Sequence, residues 1–286
     1  MVVRSRICPA CGKLNGADEA RCYHCGQRLP GPLWQAAREL WTGLFGTDFP
    51  ATKFFVAVCL AVFAFSNFGL GTFDLAGRLP LSQTLRWGGL LSGIAFTDPA
   101  WPLEPWRWLS AIFLHYGLLH IVFNMGALWS FGAELERGAG SARFVLVFLL
   151  TGVLGFLASD AWYALRGHLA PTAGASGGIF GLIGAEVGRL YAAKNPAYKQ
   201  LLVRALVVAL IRGLAFQANN AAHLGGLVSG VAAGWLLYKE RRPERHHRAL
   251  RAIAVALSVL SLVSILLSNR SITWQIVRQQ EMSLAP

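Results

Sequence analysis

Long apolar stretches separated by shorter polar segments dominate this sequence. Seven windows are apolar enough, and nearly long enough or more, to cross a bilayer core as helices, which takes about 20 residues each. The windows lie near residues 51–70, 117–134, 143–164, 174–192, 199–215, 220–238 and 249–268. Because 55% of the 286 residues are hydrophobic and only 14% are charged, the pattern predicts an all-α polytopic membrane protein.

Basic residues fall mostly on one side of the predicted spans. No apolar h-region typical of a cleaved signal peptide precedes the first span, so we expect that span to act as the insertion signal. If the N-terminus is cytoplasmic, seven of the 26 Lys and Arg residues lie on the outer side, namely Arg78, Arg86, Arg107, Arg166, Arg212, Arg270 and Arg278. The distribution predicts a multi-pass protein of the cell membrane with a cytoplasmic N-terminus.

The formal net charge of +12 raises the question of a nucleic-acid partner. The basic residues lie mostly in short loops beside the predicted spans, where they would face anionic lipid headgroups. No basic stretch is interleaved with exposed aromatic residues, as a nucleic-acid-binding surface requires. We therefore expect the lipid bilayer as a partner, and no nucleic acid.

Residues 1–30 form a module of a different kind, rich in cysteine. Cys8 and Cys11 make one C-x2-C pair, and Cys22 and Cys25 make a second pair after ten intervening residues. The spacing predicts a zinc-ribbon-like module, because each pair can bind one side of a tetrahedral zinc ion. Two disulfides are the alternative, but a cytoplasmic module lies in a reducing compartment where disulfides are rare. Four thiolates leave no coordination position open, so we expect a structural zinc, and the module could dock a cytosolic protein partner.

The other segments complete the predicted domain organisation. Residues 31–50 have apolar positions at helical spacing and are predicted to be an interfacial helix or a linker. Residues 51–240 hold six predicted helices, and residues 241–270 hold a basic loop followed by the seventh transmembrane helix. The loop after the first span, about residues 70–116, is rich in tryptophan and is expected to lie in the membrane interface. Residues 271–286 are predicted to be a tail.

Few polar side chains fall inside the predicted spans, and each is a functional candidate because such groups are costly to place in a membrane. His120, Ser176 and His223 each lie only a few residues into spans two, four and six. These spans run in the same direction, so all three side chains should lie roughly 5–10 Å below the outer surface. Asn124 follows His120 by four residues and shares its helix face.

Glycines surround two of these positions at spacings that permit close helix packing. Those that recur about every four residues in the fourth and sixth spans are Gly177, Gly181, Gly184, Gly226, Gly230 and Gly234. Small residues at this spacing let two helices approach closely within a membrane. We therefore expect the two spans to be in contact, with the Ser176 hydroxyl within hydrogen-bond reach of the His223 ring.

The stretch GASGGIFGLIGA, residues 174–185, is open to three interpretations. It fits the G-x-S-x-G nucleophile elbow, but that motif needs a buried strand and a parallel sheet that the sequence does not predict. Close packing alone would explain the glycines, but not the shared depth of the polar residues. The third interpretation is a serine hydrolase within the membrane, with Ser176 as nucleophile and His223 as general base and then acid. The Ser176 backbone N–H, His120 and Asn124 would form the oxyanion hole, and a dyad is expected because no carboxylate is in an obvious position to orient His223.

Several sequence elements between about residues 106 and 234 occur together in the order expected of one known family. They are GASG around Ser176, AHLGGLVSG around His223, HIVFN with His120 and Asn124, Trp106-Arg107, and Gly132-x-x-x-Glu136-x-x-x-Gly140. Any one of them is weak evidence, but the set is specific. Together they resemble the rhomboid family of intramembrane serine proteases.

The resemblance implies a six-helix rhomboid-like core over residues 51–240, with the seventh helix as an addition and no cofactor for catalysis. The site residues that it implies are the dyad Ser176 and His223 and the oxyanion residues His120 and Asn124. Phe180 takes a position where the family carries an aromatic residue beneath the catalytic imidazole. His115 resembles an accessory histidine of the family, or is only a loop or cap residue.

The expected activity is cleavage of single-span membrane protein substrates near the outer membrane face through an acyl-enzyme. Substrate helices weakened by glycine near that end should be preferred, because an intact helix protects its carbonyl groups by internal hydrogen bonds. The main alternative is a non-catalytic rhomboid-like protein that binds and escorts transmembrane helices. Known forms of such proteins usually lack the serine or the histidine, and this chain has both. A channel or transporter is disfavoured, because charges within the predicted spans are few.

Overall fold

The computed structural model of the chain describes residues 5–8, 11–16, 19–29, 31–68, 79–98, 102–216, 219–240 and 247–284. The chain divides into two compact units, Met1–Pro50 and Ala51–Pro286. Parts of several predicted segments lie outside the described residues. They are residues 1–4, 9–10, 17–18 and 30 of the cysteine-rich module, residues 69–78 and 99–101 at the end of the first span and in the tryptophan-rich loop, residues 217–218 between the fifth and sixth spans, residues 241–246 of the basic loop, and residues 285–286 of the tail.

The first unit contains a small antiparallel ribbon followed by a helix. Strand β1, Ser5–Ile7, pairs with strand β2, Leu14–Gly16. The helix α1, Pro32–Phe45, begins with proline at its first position and ends at Gly46, whose φ of +70° stops the helix. The predicted interfacial segment is therefore helical over most of its length, whereas its place in the interface stays a prediction.

The second unit is built from long helices joined by short elements. The long helices are α2 (Pro50–Phe68), α6 (Leu118–Ala127), α8 (Ser141–Leu165), α9 (Ser176–Ala192), α10 (Ala197–Phe216), α11 (Asn220–Lys239) and α12 (His247–Arg270). The shorter elements are α3 (Leu81–Arg86), β3 (Leu90–Ser92), α4 (Ile94–Thr97), α5 (Arg107–Ser110), α7 (Ala133–Ala139), β4 (Ala170–Thr172) and α13 (Ile272–Ser283). A π-helical turn, Leu128–Gly132, joins α6 to α7 without a break.

Within the described residues, five helical stretches are long and apolar enough to cross a membrane. They are Pro50–Asn67, Leu118–Ala139, Ser141–Leu165, Asn220–Lys239 and His247–Ser283. The helices at the predicted fourth and fifth spans fall outside this set, because α9 has only 17 residues and α10 carries three basic residues. The molecule is thus an all-α polytopic membrane protein, as the hydrophobic pattern predicts.

Helix α9 is the centre of the second unit and is buried on most of its sides. It packs closely against α8 and α11. A Cβ atom added to Gly226, Gly230 or Gly234 of α11 would collide with a backbone carbonyl oxygen of α9. Glycine is therefore required where the two backbones touch, and the contact between the fourth and sixth predicted spans is confirmed.

Glu136 ties the ends of three helices together. Its carboxylate accepts hydrogen bonds from the backbone N–H groups of Ala51 and Thr52 at 3.0 and 2.7 Å, at the start of α2. It also accepts bonds from the hydroxyls of Thr52 and Ser141, at the starts of α2 and α8, at 2.8 and 2.6 Å. Gly140, with a φ of +88°, turns the chain between α7 and α8. Residues 132–140 therefore act structurally, at the end of the core remote from Ser176.

The predicted tail, residues 271–286, contains the helix α13. Ser271 caps this helix by accepting a hydrogen bond from the Thr273 N–H. Val277 of α13 packs with Leu85 of α3 in a small apolar cluster of its own. The segment is therefore a packed element of the second unit.

Candidate active site

Ser176 and His223 are in hydrogen-bond contact. The Ser176 Oγ and the His223 Nε2 lie 2.9 Å apart, although 47 residues separate them in sequence. Phe180, one turn after Ser176 on α9, stacks on the imidazole with ring centroids 4.5 Å apart and an interplanar angle of 19°. The serine is partly accessible, while the imidazole is buried. A hydroxyl that can be approached thus meets an imidazole that can accept its proton.

The position of Ser176 follows from the turn that precedes α9. Strand β4 pairs antiparallel with β3 and delivers the chain to Gly174, whose φ of +126° requires glycine. The Gly174 N–H donates to the Ala111 carbonyl at 2.8 Å. Ser176 is then the first residue of α9, where backbone N–H groups have no partner within the helix. The short antiparallel β4 is not the parallel sheet of a nucleophile elbow, so that interpretation is dropped.

His120 faces the turn before Ser176. Its Nδ1 accepts the Tyr116 backbone N–H at 3.4 Å, so the proton of the neutral ring is on Nε2. That Nε2 lies against Gly174, where an added Cβ atom would be 2.7 Å from it and 3.9 Å from the Ser176 hydroxyl. The His120 ring thus turns an N–H donor toward the space beside the serine.

Asn124 lies one turn after His120 on α6 and is fully buried. Its side-chain amide donates to the His120 carbonyl at 2.7 Å. One hydrogen of the same NH2 group is therefore engaged within α6, and the second remains for another acceptor. In the structure His120 lies beside the turn before Ser176, and Asn124 lies one turn further along the same face of α6.

His115 is the residue whose part the sequence did not distinguish from a loop or cap residue. It is fully buried, and its Nδ1 lies 3.1 Å from the Phe113 carbonyl, to which only an N–H can donate. Its Nε2 therefore accepts the N–H of Ala175, the residue before the serine, at 3.3 Å. The spacing of five residues before His120 was the available signal, but it does not show which backbone group the ring holds.

Asn219 and the start of α11 place His223. The Asn219 side chain accepts the Ala222 N–H at 3.1 Å and so caps the helix. Its amide nitrogen also donates to the hydroxyls of Ser159 on α8 and Thr172 on β4, at 2.5 and 3.2 Å. The helix that carries His223 is therefore fixed to the strand that leads into the Ser176 turn.

Three other polar residues of the long helices, Asp160, Glu186 and Arg189, have structural partners. Glu186 and Arg189 form an ion pair with each other, with two nitrogen–oxygen distances of 2.7 and 2.5 Å. Asp160 accepts the Trp108 indole N–H at 2.5 Å and the Gly93 N–H at 3.2 Å. These residues lie outside the Ser176–His223 contact.

Arg107 organises the first loop of the second unit. It is buried and contacts the Glu104 carboxylate and the Leu85 and Gly89 carbonyls at 2.5, 2.5 and 3.0 Å. Burial lowers the pKa of Arg107, and the Glu104 carboxylate opposes that change. Arg107 therefore belongs to a packed part of this loop.

The four cysteines of the first unit converge. All four Sγ atoms lie within 4.8 Å of one another, and the Cys8–Cys25 and Cys11–Cys22 distances are both 3.6 Å. A tetrahedral zinc with bonds of about 2.3 Å would hold its sulfur ligands about 3.8 Å apart. None of the four is in a disulfide, so the donor set and its size fit the predicted metal.

The fold and the site together define a class of protein. It is a helical membrane protein in which a serine and a histidine meet at the starts of two closely packed core helices. Residues 102–240 match the family model of the Rhomboid domain. The chain therefore carries a rhomboid domain, and the resemblance in its motifs is confirmed.

Several known proteins are similar to parts of this chain. It is 37% identical over 164 residues to rhomboid protease GluP of Bacillus subtilis, covering 54% of this chain and 31% of that protein. It is 28% identical over 201 residues to rhomboid protease GlpG of Klebsiella pneumoniae, covering 65% and 63%. It is 35% identical over 140 residues to RHOMBOID-like protein 6, mitochondrial, of Arabidopsis thaliana, covering 47% and 44%. The chain thus spans between about a third and two thirds of these relatives.

Proposed function

We propose that this protein is an intramembrane serine endopeptidase of the rhomboid type. The observation that carries the proposal is the 2.9 Å contact between the Ser176 hydroxyl and the His223 Nε2, with Phe180 stacked on the imidazole. The similarity to proteins named as rhomboid proteases supports the same activity. No metal or organic cofactor takes part in the proposed reaction.

The proposed reaction is acyl transfer in two halves. The His223 Nε2 takes the Ser176 proton as the oxygen attacks the substrate carbonyl carbon, and a tetrahedral oxyanion forms. Collapse of this intermediate breaks the C–N bond, and the imidazolium gives its proton to the leaving amine. Water then attacks the acyl-enzyme with His223 again as base, which releases the acid product and restores the serine.

The oxyanion would be stabilised by donors beside Ser176. The candidates are the Ser176 backbone N–H at the start of α9, the Nε2–H of His120 and the second amide hydrogen of Asn124. Donors that are already in place stabilise developing charge without reorganisation, and the loss of one typically costs 10²–10³ in kcat. The tautomer argued for His120 and its position against Gly174 support its part in this set.

The substrates we propose are single-span membrane proteins that are cut near the outer membrane face. A peptide bond within a helix is shielded, so a substrate helix must unwind before its carbonyl can reach Ser176. The excess of Lys and Arg on one side of the helices supports a cytoplasmic N-terminus. In that orientation the starts of α9 and α11 face the outer side of the cell membrane.

A cleavage assay tests the proposal. The purified full chain is mixed with a panel of labelled single-span proteins, and Ser176→Ala and His223→Ala are compared with the wild type. We expect cleavage by the wild type and none by either variant. Ser229→Ala is the matched control, because within the part of the chain that the structure describes this hydroxyl on α11 bonds only to carbonyls of its own helix.

Two outcomes would contradict this function. If Ser176→Ala cleaved as fast as the wild type, another nucleophile would be responsible. If the wild type bound the labelled helices but cleaved none of them, the escort function would replace the protease.

For the first unit we propose a structural zinc ion bound by Cys8, Cys11, Cys22 and Cys25. Two turns of the same form support this, since Gly12 and Gly26 each follow the second cysteine of a pair with φ of +71° and +69°. Each of these glycines donates its N–H to the carbonyl of the first cysteine, at 2.9 Å in both turns. A zinc ion there would stabilise the fold of the unit, which could then dock a cytosolic protein.

A further inference from the structure

The helix α13 follows the seventh long helix and has no part in the proposed chemistry. It packs on α3, within the loop that precedes the site. Trp274, Val277 and Glu281 lie on one face of α13 at helical spacing and contact this loop.

Two carboxylates fasten α13 to the loop. Glu281 accepts the Ser82 N–H at 3.2 Å and the Ser82 hydroxyl at 2.5 Å, at the start of α3. Glu104 accepts the hydroxyl of Ser271, the cap of α13, and also binds Arg107. Hydrogen bonds to charged groups are stronger than hydrogen bonds between neutral groups. We therefore expect both carboxylates to stabilise the contact between α13 and the loop.

An apolar and aromatic contact lies between the two fastenings. Val277 packs with Leu85 of α3 in a buried cluster. The guanidinium of Arg86 lies 5.1 Å from the ring centroid of Trp274, which is within the range of a cation–π interaction. Helix α13 therefore packs against α3 along the length of α3.

The loop that α13 contacts is connected to the turn before Ser176, the proposed nucleophile. Arg107 binds the Leu85 carbonyl at the end of α3 at 2.5 Å. Four residues later, the Ala111 carbonyl accepts the Gly174 N–H, and His115 then holds the Ala175 N–H. Segment 104–115 thus connects α13 at one end to the turn before Ser176 at the other.

Helix α12 reinforces the same segment. Its buried Ser268 lies 3.2 Å, hydroxyl to hydroxyl, from Ser110 at the end of α5. Ser110 in turn donates to the Gly88 carbonyl at 2.8 Å. The segment is therefore held at three successive points. Helix α13 contacts Glu104 directly and Arg107 indirectly, through α3, and helix α12 contacts Ser110.

We propose that α13 is a positioning element of the active site. It holds segment 104–115, and through it the turn that sets Ser176 and its backbone N–H against His223. Ser271 and Glu281 are positioning residues, since they act through Glu104, Ser82 and the loop and not on the substrate. The proposal rests on the proposed function, because it concerns the reactivity of Ser176.

The test measures the reactivity of Ser176 separately from substrate binding. A fluorophosphonate probe labels an activated serine, and its second-order rate constant is measured on the purified full chain with Glu281→Gln and with Ser271→Ala. Measurements are made well below the unfolding temperature of each variant. We expect labelling at least about tenfold slower than in the wild type, which corresponds to about 1.4 kcal/mol of transition-state stabilisation.

Controls separate positioning from a merely structural role. Gln275→Ala and Gln279→Ala change exposed positions of the same helix and should label at the wild-type rate. Ser82→Ala removes the hydroxyl that donates to Glu281, and the loss on combining it with Glu281→Gln should be smaller than the sum of the two single losses. If Glu281→Gln does not fold, Ser82→Ala and Ser271→Ala carry the test.

The variants could fold with a lowered unfolding temperature and still be labelled at the wild-type rate. This result would overturn the proposal, because α13 would then only stabilise the fold. Additive losses in Ser82→Ala and Glu281→Gln would also contradict it. A wild type that neither labels nor cleaves would instead overturn the proposed function, so the two failures are distinguishable.

Discussion

The imidazole of His223 lies between a hydroxyl at one edge and the ring of Phe180 at one face. A phenylalanine in this place supports the ring by stacking and offers no hydroxyl for a hydrogen bond. The orientation of His223 therefore depends on a flat aromatic surface that fixes the plane of the imidazole.

This arrangement predicts the effect of changing Phe180. In Phe180→Leu the stacking surface is lost, so the imidazole should sample other orientations and fluorophosphonate labelling should fall about tenfold. Phe180→Tyr keeps the aromatic ring and should retain most of the labelling rate. Phe123→Leu, at an exposed position of α6, is the control and should match the wild type. Equal rates for Phe180→Leu and the wild type would show that the stacking does not orient His223.

His120 gives a second prediction at the scale of a residue. If its Nε2–H supports the oxyanion, His120→Ala should lower kcat for substrate cleavage by about 10²–10³ and change KM little. The matched control is His168→Ala, an exposed histidine in the loop between α8 and β4. A variant whose KM rises while kcat stays constant would instead assign His120 to substrate binding.

Sequence patterns predicted the main residues of the candidate site and the contact between Ser176 and His223, but not the hydrogen bonds that hold the surrounding loops. Ser176, His223 and His120 were recognisable because polar groups are rare in apolar spans and the glycines around them are regularly spaced. The bond of His115 to the Ala175 N–H was not predictable, because it joins two loops that are 60 residues apart. Such contacts depend on the tertiary structure, and the hydrophobic periodicity of a single segment does not predict them.

At the scale of elements, the α9–α11 contact explains how the Ser176–His223 distance is set. The backbones of the two helices touch at Gly177 and Gly226, one residue after the serine and three after the histidine. The position of the helices relative to each other is therefore fixed within one turn of the reacting atoms. A change in their separation would change the distance between the two side chains.

This contact predicts a sharp difference between two Gly→Ala substitutions. In Gly226→Ala the new methyl group would collide with the Gly177 carbonyl, so the helices must separate and the unfolding temperature and the labelling rate should both fall. Gly126→Ala on α6 places a methyl group where nothing lies within 4 Å, and should be neutral or stabilising by up to about 1 kcal/mol. Thermal unfolding of the purified variants measures the difference. A similar stability for both variants would mean that the close contact is not required.

The helices of the core were predictable from hydropathy, whereas the short elements were not. The predicted window 174–192 corresponds to α9, and the window 220–238 to α11. The strands β3 and β4 have three residues each, which is too short to show an alternating pattern. Helix α13 was missed because its face toward α3 is formed by a few residues, Trp274, Val277 and Glu281, among polar ones. Such a face becomes recognisable only when its partner is known.

At the scale of the whole molecule, the two units have separate apolar cores. The first is formed around Cys8, Cys22 and Leu29, and the second lies within the long helices. The core that the described residues of the first unit form is small, and a small domain usually needs a metal or disulfides because burial alone stabilises its fold too little. The first unit should therefore depend on its metal, while the second should not.

Removal of the metal tests whether the first unit depends on it and the second unit does not. The protein as purified should contain one zinc ion per chain, and Cys8→Ser and Cys25→Ser should each lose it, because three thiolates bind zinc far more weakly than four. A strong chelator should likewise make residues 1–50 sensitive to protease, while the rate of Ser176 labelling stays constant. Cys59→Ser is the control, since this cysteine is buried within α2 and should leave the zinc content unchanged. Unchanged zinc content in Cys8→Ser and Cys25→Ser would overturn the metal assignment, and loss of labelling on chelation would show that the core depends on the first unit.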